Sequence, residues 1–397
     1  MKYIPYGRQL IDNEDRKSVL NSLSNDLITT GPLVEKFEKE LKKYFECKYS
    51  YTCSSGTAAI HLAMLSIGLK KNDIILMPAV NFIASYNIAK IMKLRIYLVD
   101  VDENTGQVTA SKILQCLKKN KLKKIKALLV MYHAGFPENP IDFYTLKKKY
   151  KFFLIEDACH AFGAEYKYKN KFYKIGSCKH ADVSTFSLHP VKTITSGEGG
   201  VITTNSNKVA KKIQLLRSHG ILRNKKKHWD YDIVQHGFNY RLSDINCALG
   251  LSQLNKIDSF LIKREKIYRR YVDELKFLNS YLELPNYSKV TKPAFHLFLI
   301  NIKFKNFKKN KRHLIKYFLK NNIFVQQHYI PIYKFKVYKE KRKYFPESEK
   351  YFKNSLSIPL FVNLSIRDQI KIIKVIKNFF FKKNFKKKIF SHNTRKI

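Results

Sequence analysis

Acidic residues are scarce in this chain: 31 Asp and Glu stand against 76 Lys and Arg in 397 residues, a formal net charge of +45 with His neutral. Taken alone, that imbalance points towards nucleic acid or another anionic surface. Cysteine is sparse as well. Six cysteines without regular spacing exclude a disulfide scaffold. The 14 glycines and 11 prolines exclude a collagen-like chain. No apolar run approaches the ~18 residues of a membrane helix; Ala127 to Tyr132 is among the longest. The opening Met1-Lys-Tyr-Ile-Pro-Tyr-Gly-Arg8 leads into no apolar stretch, so no secretory signal is expected. What is present is 45% hydrophobic and 14% aromatic content, which excludes a disordered chain despite 27% charge. The expectation is a cytoplasmic, reduced protein of two or three domains with no integral membrane contact.

The familiar short motifs are missing too. There is no G-x-x-x-x-G-K-[ST] loop, no G-x-G-x-x-G and no G-x-S-x-G elbow. Cys159-His160 and Cys178-Lys-His180 match no zinc module, so no metal is expected. Basic clusters occur at Arg223 to Lys227, Lys305 to Arg312 and Phe381 to Lys388. They could track phosphates. The lysines are nevertheless scattered along the whole chain among Asn, Ile, Phe and Tyr, residues that share A/T-rich codons. Solvated charge explains them better than a nucleic-acid partner.

Helices and short apolar bursts alternate through the N-terminal half. Leu33 to Tyr44, Ala58 to Leu69, Ile83 to Met92 and Asp142 to Tyr150 have helical character. Ile74 to Met77, Ile96 to Val101, Ile125 to Tyr132 and Phe152 to Glu156 fit buried parallel strands. That alternation predicts an α/β layer with a mainly parallel sheet. Past residue 180, strands are expected at Ala181 to Phe186 and Gly200 to Thr204, and helices at Ser243 to Leu254 and Asp258 to Asn279. Strand-like Ala294 to Ile302, a helix around Lys311 to Asn321, the segment Val325 to Ile330 and a helix from Ser365 to Asn378 complete a smaller α+β domain. The expected division is residues 1–250, 251–379 and a basic, disordered tail at 380–397.

One constellation carries chemistry. Asp157 closes the strand Phe152-Phe-Leu-Ile-Glu156, at the carboxyl end where open α/β sheets bind ligands. Lys192 lies in the turn between two strands, flanked by Ser187, His189 and the glycines at 197, 199 and 200. Ser54 to Thr57 opens a helix with hydroxyls and free N–H groups, a ready phosphate site. A phosphate cradle, a carboxylate and a lysine together are what pyridoxal phosphate requires: the lysine makes a Schiff base and the carboxylate pairs with the pyridinium nitrogen. Each piece alone has a bland reading, as a cap, a turn residue or one lysine among many.

Order and neighbours sharpen the case. Thr30-Gly-Pro with Phe37-Glu, Ser54-Ser-Gly-Thr-Ala-Ala59, Glu156-Asp-Ala-Cys-His-Ala161, Ser187-Leu-His-Pro-Val-Lys192 with Gly197-Glu-Gly-Gly200, and Gly237-Phe-Asn-Tyr-Arg-Leu-Ser-Asp244 follow one another along the chain. The series resembles the DegT/DnrJ/EryC1/StrS family of sugar-nucleotide aminotransferases, from about Ile4 to residue 375. The resemblance implies a fold-type I architecture, a large mainly parallel sheet domain with a smaller C-terminal α+β domain. It implies Lys192 as the Schiff-base and proton-transfer lysine, Asp157 on the pyridinium nitrogen, His160 near the phenolic oxygen and Phe82 on the ring face. Gly56, Thr57 and Ser187 would hold the phosphate, with Asn239 reaching in from a second copy of the chain, so that a homodimer shares its sites.

His189-Pro-Val-Lys192, Tyr6-Gly-Arg-Gln9 and His328-Tyr-Ile-Pro331 resemble the branch acting in pseudaminic acid synthesis. That branch implies UDP-2-acetamido-2,6-dideoxy-β-L-arabino-hex-4-ulose as substrate and L-glutamate as donor. Tyr6, Arg241 and His328 are the candidates for holding substrate, and the choice between Arg241 and His328 for the diphosphate or the glutamate carboxylate stays open. Rival substrates are the 4-keto sugars leading to bacillosamine, legionaminic acid or perosamine. A related sugar dehydratase would carry His in place of Lys192.

Overall fold

The computed structural model of the protein describes residues 3–224, 229–288, 290–304, 309–337 and 345–381. Most of the three basic clusters, and the expected tail beyond Phe381, lie outside the described residues.

After α1 (Asn13–Leu23) and α2 (Pro32–Phe45), the chain enters an alternating run. Strands β1 (Tyr49–Cys53), β2 (Ile74–Pro78), β3 (Arg95–Val99), β4 (Ala127–Met131) and β5 (Phe153–Asp157) are separated by α3 (Gly56–Ser66), α4 (Ala84–Ile91), α5 (Ala110–Lys119) and α6 (Pro140–Tyr150). A hairpin, β6 (Glu165–Tyr168) and β7 (Lys171–Lys174), follows outside the main sheet. The chain then returns as β8 (Val183–Ser187) and β9 (Gly200–Thr204), followed by α7 (Asn207–Arg217). The seven strands order as β1-β9-β8-β5-β4-β2-β3, and β9 alone runs against its neighbours.

Side-chain alternation explains why this sheet is covered on both faces. Along β4, Leu128 and Val130 join one core with Phe37 and Phe45 of α2. Ala127 and Leu129 join another with Ala59 and Leu62 of α3. A strand packed on both faces reads as a continuous apolar run, as Ala127–Met131 does.

Local sequence sets the helix ends. At α2, Gly31 caps, Pro32 takes the first turn with Glu35, Lys42 and Lys43 close the last turn, and Glu46 stops the helix in the left-handed region. The expected helices at 33–44, 58–69, 83–92 and 142–150 and the expected strands are all found, with ends shifted by a few residues. Helices α1, α5 and α7, strand β1 and the hairpin were not foreseen.

A two-stranded ribbon, β10 (Ile221–Arg223) and β11 (Tyr231–Ile233), precedes α8 (Asp244–Leu254) and α9 (Ile257–Leu275). The expected helix 258–279 ends early because Lys276–Leu278 tighten into a 3-10 turn. Beyond lie β12 (Leu282–Glu283), β13 (Thr291–Lys292), β14 (Phe298–Ile302), α10 (Lys311–Lys320), α11 (Pro346–Asn354), β15 (Ser355–Ile358) and α12 (Ile366–Phe381). The helix expected at 365–378 therefore runs on to Phe381. A separate core gathers Phe298, Ile300, Phe318, Leu356 and Ile372. The segment Val325 to Ile330 adds no strand. Its backbone bridges β15 at Gln326 to Ser357, its Gln327 and His328 side chains bond Ser355 and Ser357, and it lines a cavity. A division after residue 250 is our proposal. Several features cross it: α9 places Phe260 in the first core and Ile267 in the C-terminal one, Tyr351 and Val362 also join the first core, and Ile4 packs with the C-terminal core.

Candidate active site

Parallel strands deliver their carboxyl ends to one edge of a sheet, and turns leaving that edge can converge. Here β5 ends at Asp157 and β8 at Ser187, while the antiparallel β9 begins there with Gly200 opposite both Ser187 and Cys53. A Cβ on Gly200 would lie 2.3 Å from the Ser55 carbonyl, so only glycine lets the turn before α3 sit against β9. Ser55 caps α3 by accepting the Ala58 N–H at 3.1 Å. Gly56 and Thr57 thus occupy the first turn, with N–H groups the helix cannot use. Gly56 is needed for the same reason as Gly200: a Cβ there would meet Ser187 Cβ at 2.8 Å.

These turns surround a cavity of about 420 Å3. Of the residues singled out from sequence, Tyr6, Gly56, Thr57, Phe82, Asp157, His160, Ser187, Lys192 and His328 line it. Asn239 and Arg241 do not. Their segment runs past the cavity with Asn239 exposed and bridged to Ser218, and it touches the phosphate turn through the Ser54 N–H donated to the Tyr240 carbonyl at 2.9 Å.

Electrostatics inside the cavity are set by burial. Burial lowers the Lys192 ammonium from its ordinary range, against the pull of Cys159 and Asp157, and so favours the neutral amine. Burial raises the Asp157 carboxyl, opposed by the Cys159 N–H donated to Oδ1 at 3.3 Å and by the Lys192 charge. Among the described residues Asp157 makes no ion pair. His160 is held neutral by burial and by nearby Lys192, and its Nε2 meets the Tyr329 hydroxyl at 2.9 Å. Phe82 keeps 53% of its surface exposed and is braced by its own N–H on Asn81 Oδ1 at 2.7 Å. His328 is anchored through Nδ1 to Ser357 Oγ at 2.8 Å, with the Tyr6 ring 5.6 Å away.

Sequence reasoning missed several members of the site. Asn81 follows β2 and lines the cavity, so the carboxyl-end argument that found Asp157 extends to it; His133, after β4, lies behind the lining with its ring 5.8 Å from that of His160. Tyr329 and His296 come from the C-terminal half; the His296 ring lies 4.3 Å from that of His160. No local signal announces His296, whereas Tyr329 stands within His328-Tyr-Ile-Pro331, where only His328 was given a role.

The arrangement fits pyridoxal phosphate. A buried carboxylate raised by burial and unpaired would be stabilised by a protonated pyridine nitrogen. Two glycine positions that a Cβ would block leave room at a helix start for a phosphate, and an amine whose ammonium is lowered by desolvation is the better nucleophile.

Comparison with known proteins agrees with this geometry. Residues 9–377 match the model of the DegT/DnrJ/EryC1/StrS aminotransferase family. The chain is 37% identical over 367 residues to the UDP-4-amino-4,6-dideoxy-N-acetyl-beta-L-altrosamine transaminase of Campylobacter jejuni, covering 92% of this chain and 94% of that one. It is 29% identical over 381 residues to the GDP-perosamine synthase of Escherichia coli O157:H7, covering 96% and 99%. Among solved structures, the Helicobacter pylori aminotransferase PseC, involved in the biosynthesis of pseudoaminic acid, superposes with a TM-score of 0.86 at 28% identity, over 95% of this chain and 99% of that one.

Proposed function

The chain belongs to the DegT/DnrJ/EryC1/StrS aminotransferase family and is a pyridoxal-phosphate-dependent aminotransferase, and from that premise we propose that it aminates a UDP-linked 4-keto-6-deoxy-N-acetyl sugar, UDP-2-acetamido-2,6-dideoxy-β-L-arabino-hex-4-ulose, with L-glutamate as donor, in pseudaminic acid synthesis. The observation that carries the reading is Lys192 sharing one cavity with Asp157 and the Gly56–Thr57 helix start, its ammonium lowered by desolvation. A lysine there argues for transamination over dehydration.

Gly56, Thr57 and Ser187 would hold the cofactor phosphate, Asp157 its ring nitrogen, and Phe82 and His160 its ring. When bound, the cofactor supplies an electron sink beside the amino nitrogen being transferred. Lys192 would hold it covalently through Nζ and, as a free amine, would take up and give back protons on Nζ. Burial suits it to that work, because lowering an ammonium makes its free amine more accessible as a base. Tyr6 and His328 face the cavity from the side of the C-terminal half and would meet the sugar. Asn239 lies off the cavity of its own chain, which supports a role in a second copy's site within a homodimer; Arg241 beside it would then act there as well.

The relative acting on a UDP-linked altrosamine supports the UDP sugar; the perosamine relative is the competing indication. The test is the visible spectrum of the protein and of a Lys192→Ala variant, with and without glutamate, followed by identification of the product from UDP- and GDP-linked 4-keto sugars. Absorbance of the lysine-linked cofactor that glutamate bleaches, absent in the variant, is expected. Amination of the GDP sugar alone would overturn the proposed substrate, and a spectrum indifferent to glutamate would overturn the donor.

A further inference from the structure

A second cavity, of about 540 Å3, opens beside α10 and α11. Among the described residues its wall carries five cations, Lys311, Arg312, Lys334, Lys350 and Lys353, and one carboxylate, Glu349. Glu349 is already shared between Lys334 Nζ at 2.7 Å and the Tyr333 hydroxyl at 2.8 Å. Lys350 pairs with Glu103 at 2.8 Å. Among the described residues, Lys311, Arg312 and Lys353 make no ion pair. The Lys311 ammonium is instead surrounded by neutral oxygens: it donates to Gln327 Oε1, to the Phe352 carbonyl and, at 3.4 Å, to the Ser355 carbonyl. Among the described residues that line the cavity, positive charge outweighs negative.

The helix beneath it makes the shortage worse. The first turn of α10, capped by Asn310, contains Lys311 and Arg312 and no acidic residue, so two cations sit at the positive end of the helix dipole. An anion in the cavity would relieve both repulsions. Phe304 and Phe352 add apolar wall, with Lys311 Nζ 4.5 Å and Lys334 Nζ 5.4 Å from the Phe352 ring centroid; aromatic wall beside cations suits a planar base joined to phosphates. The wall is also shared: Gln327, which accepts from Lys311, lines the transamination cavity, and Lys334 precedes Phe335 of that cavity.

We propose that this pocket binds a nucleoside diphosphate, its phosphates held by Arg312, Lys353 and the start of α10 and its base by the phenylalanine walls. The proposal rests on the functional reading above only for the choice of probe. The same chemistry can come from two sources, the nucleotide part of the sugar substrate or a separate nucleotide.

Uridine diphosphate is titrated calorimetrically into the full-length, cofactor-loaded protein at several salt concentrations. The titration is repeated with Arg312→Glu/Lys353→Glu, at two exposed positions whose replacement leaves the core intact, and with Glu349→Gln. Binding that weakens about tenfold or more in the double variant, with a shallower salt dependence, and that tightens in Glu349→Gln is expected. A parallel rise in KM for the sugar nucleotide assigns the pocket to the substrate's own nucleotide; an unchanged KM assigns it to a separate one. No binding by the wild type, or equal binding by wild type and double variant, overturns the proposal. Bleaching by glutamate, measured on the wild type alone, reports separately on the functional reading.

Discussion

At the scale of single residues, the active cavity works by removing water from charges. Asp157 is the sharpest case, since burial raises its carboxyl while the cofactor needs it ionised. A carboxyl that burial raises is drawn back towards its ionised form by a protonated ring nitrogen, so affinity for pyridoxal phosphate is expected to rise with pH across the carboxyl's raised range. In a Lys192→Ala background, which removes the amine's own titration, fluorescence titration of the cofactor should show that rise. Adding Asp157→Asn should flatten it. A second consequence concerns His133, which burial pushes down to about 4. Its folded value lies below the unfolded value of about 6.5, so its contribution is fully present above the unfolded value and is lost as pH falls towards the folded one. The loss amounts to about 3 kcal/mol. Urea midpoints measured between pH 7 and pH 4 should fall steeply, and less steeply in His133→Gln. His160, His296 and His328 are shifted in the same direction and add to the slope.

At the scale of elements, the motif ending in Asp244 shows what sequence can and cannot say. It was legible as part of a family pattern, but its acid does no chemistry. The Asp244 carboxylate accepts the Gly31 N–H at 2.7 Å and the Leu33 N–H at 2.9 Å, capping α2 from more than 200 residues away. Removing it strands two N–H groups at a helix start that has no other side-chain cap. Asp244→Ala should therefore cost about 2–4 kcal/mol, read as a lower urea midpoint. The strands of the sheet were legible for a simpler reason: burial on both faces writes an unbroken apolar run, as in Ile74 to Met77. β1, with the sequence YSYTC, has no such run, and α1 leaves Leu20 and Leu23 exposed, so neither could be seen from composition. Asp157, Ser187 and Lys192 could be read because strand ends and glycine turns mark them locally. Tyr329 and His296 reach the same cavity only through tertiary packing.

At the scale of the whole molecule, charge is the dominant peculiarity. Were every one of the 31 acidic residues paired, 45 cations would still lack a partner. Favourable pairs do exist, such as Lys256 with Asp12 at 2.7 Å and with Asp15 at 2.8 Å, but they cannot set the sign of the total. Exposed pairs contribute little and are screened, whereas repulsion among the excess lysines acts over the ~10 Å screening length of dilute salt. Added sodium chloride should therefore stabilise this protein, the reverse of what surface ion pairs would produce. The thermal midpoint measured between 0.05 and 0.5 M salt is expected to rise by roughly 2–4 °C, the shift that about 1 kcal/mol produces in a domain of 150–250 residues. A midpoint that falls instead would mean that the lysines are engaged in local pairs and the uncompensated pocket beside α10 is an exception. A midpoint that rises in the wild type, and rises less when that pocket is filled with uridine diphosphate, would place part of the repulsion there.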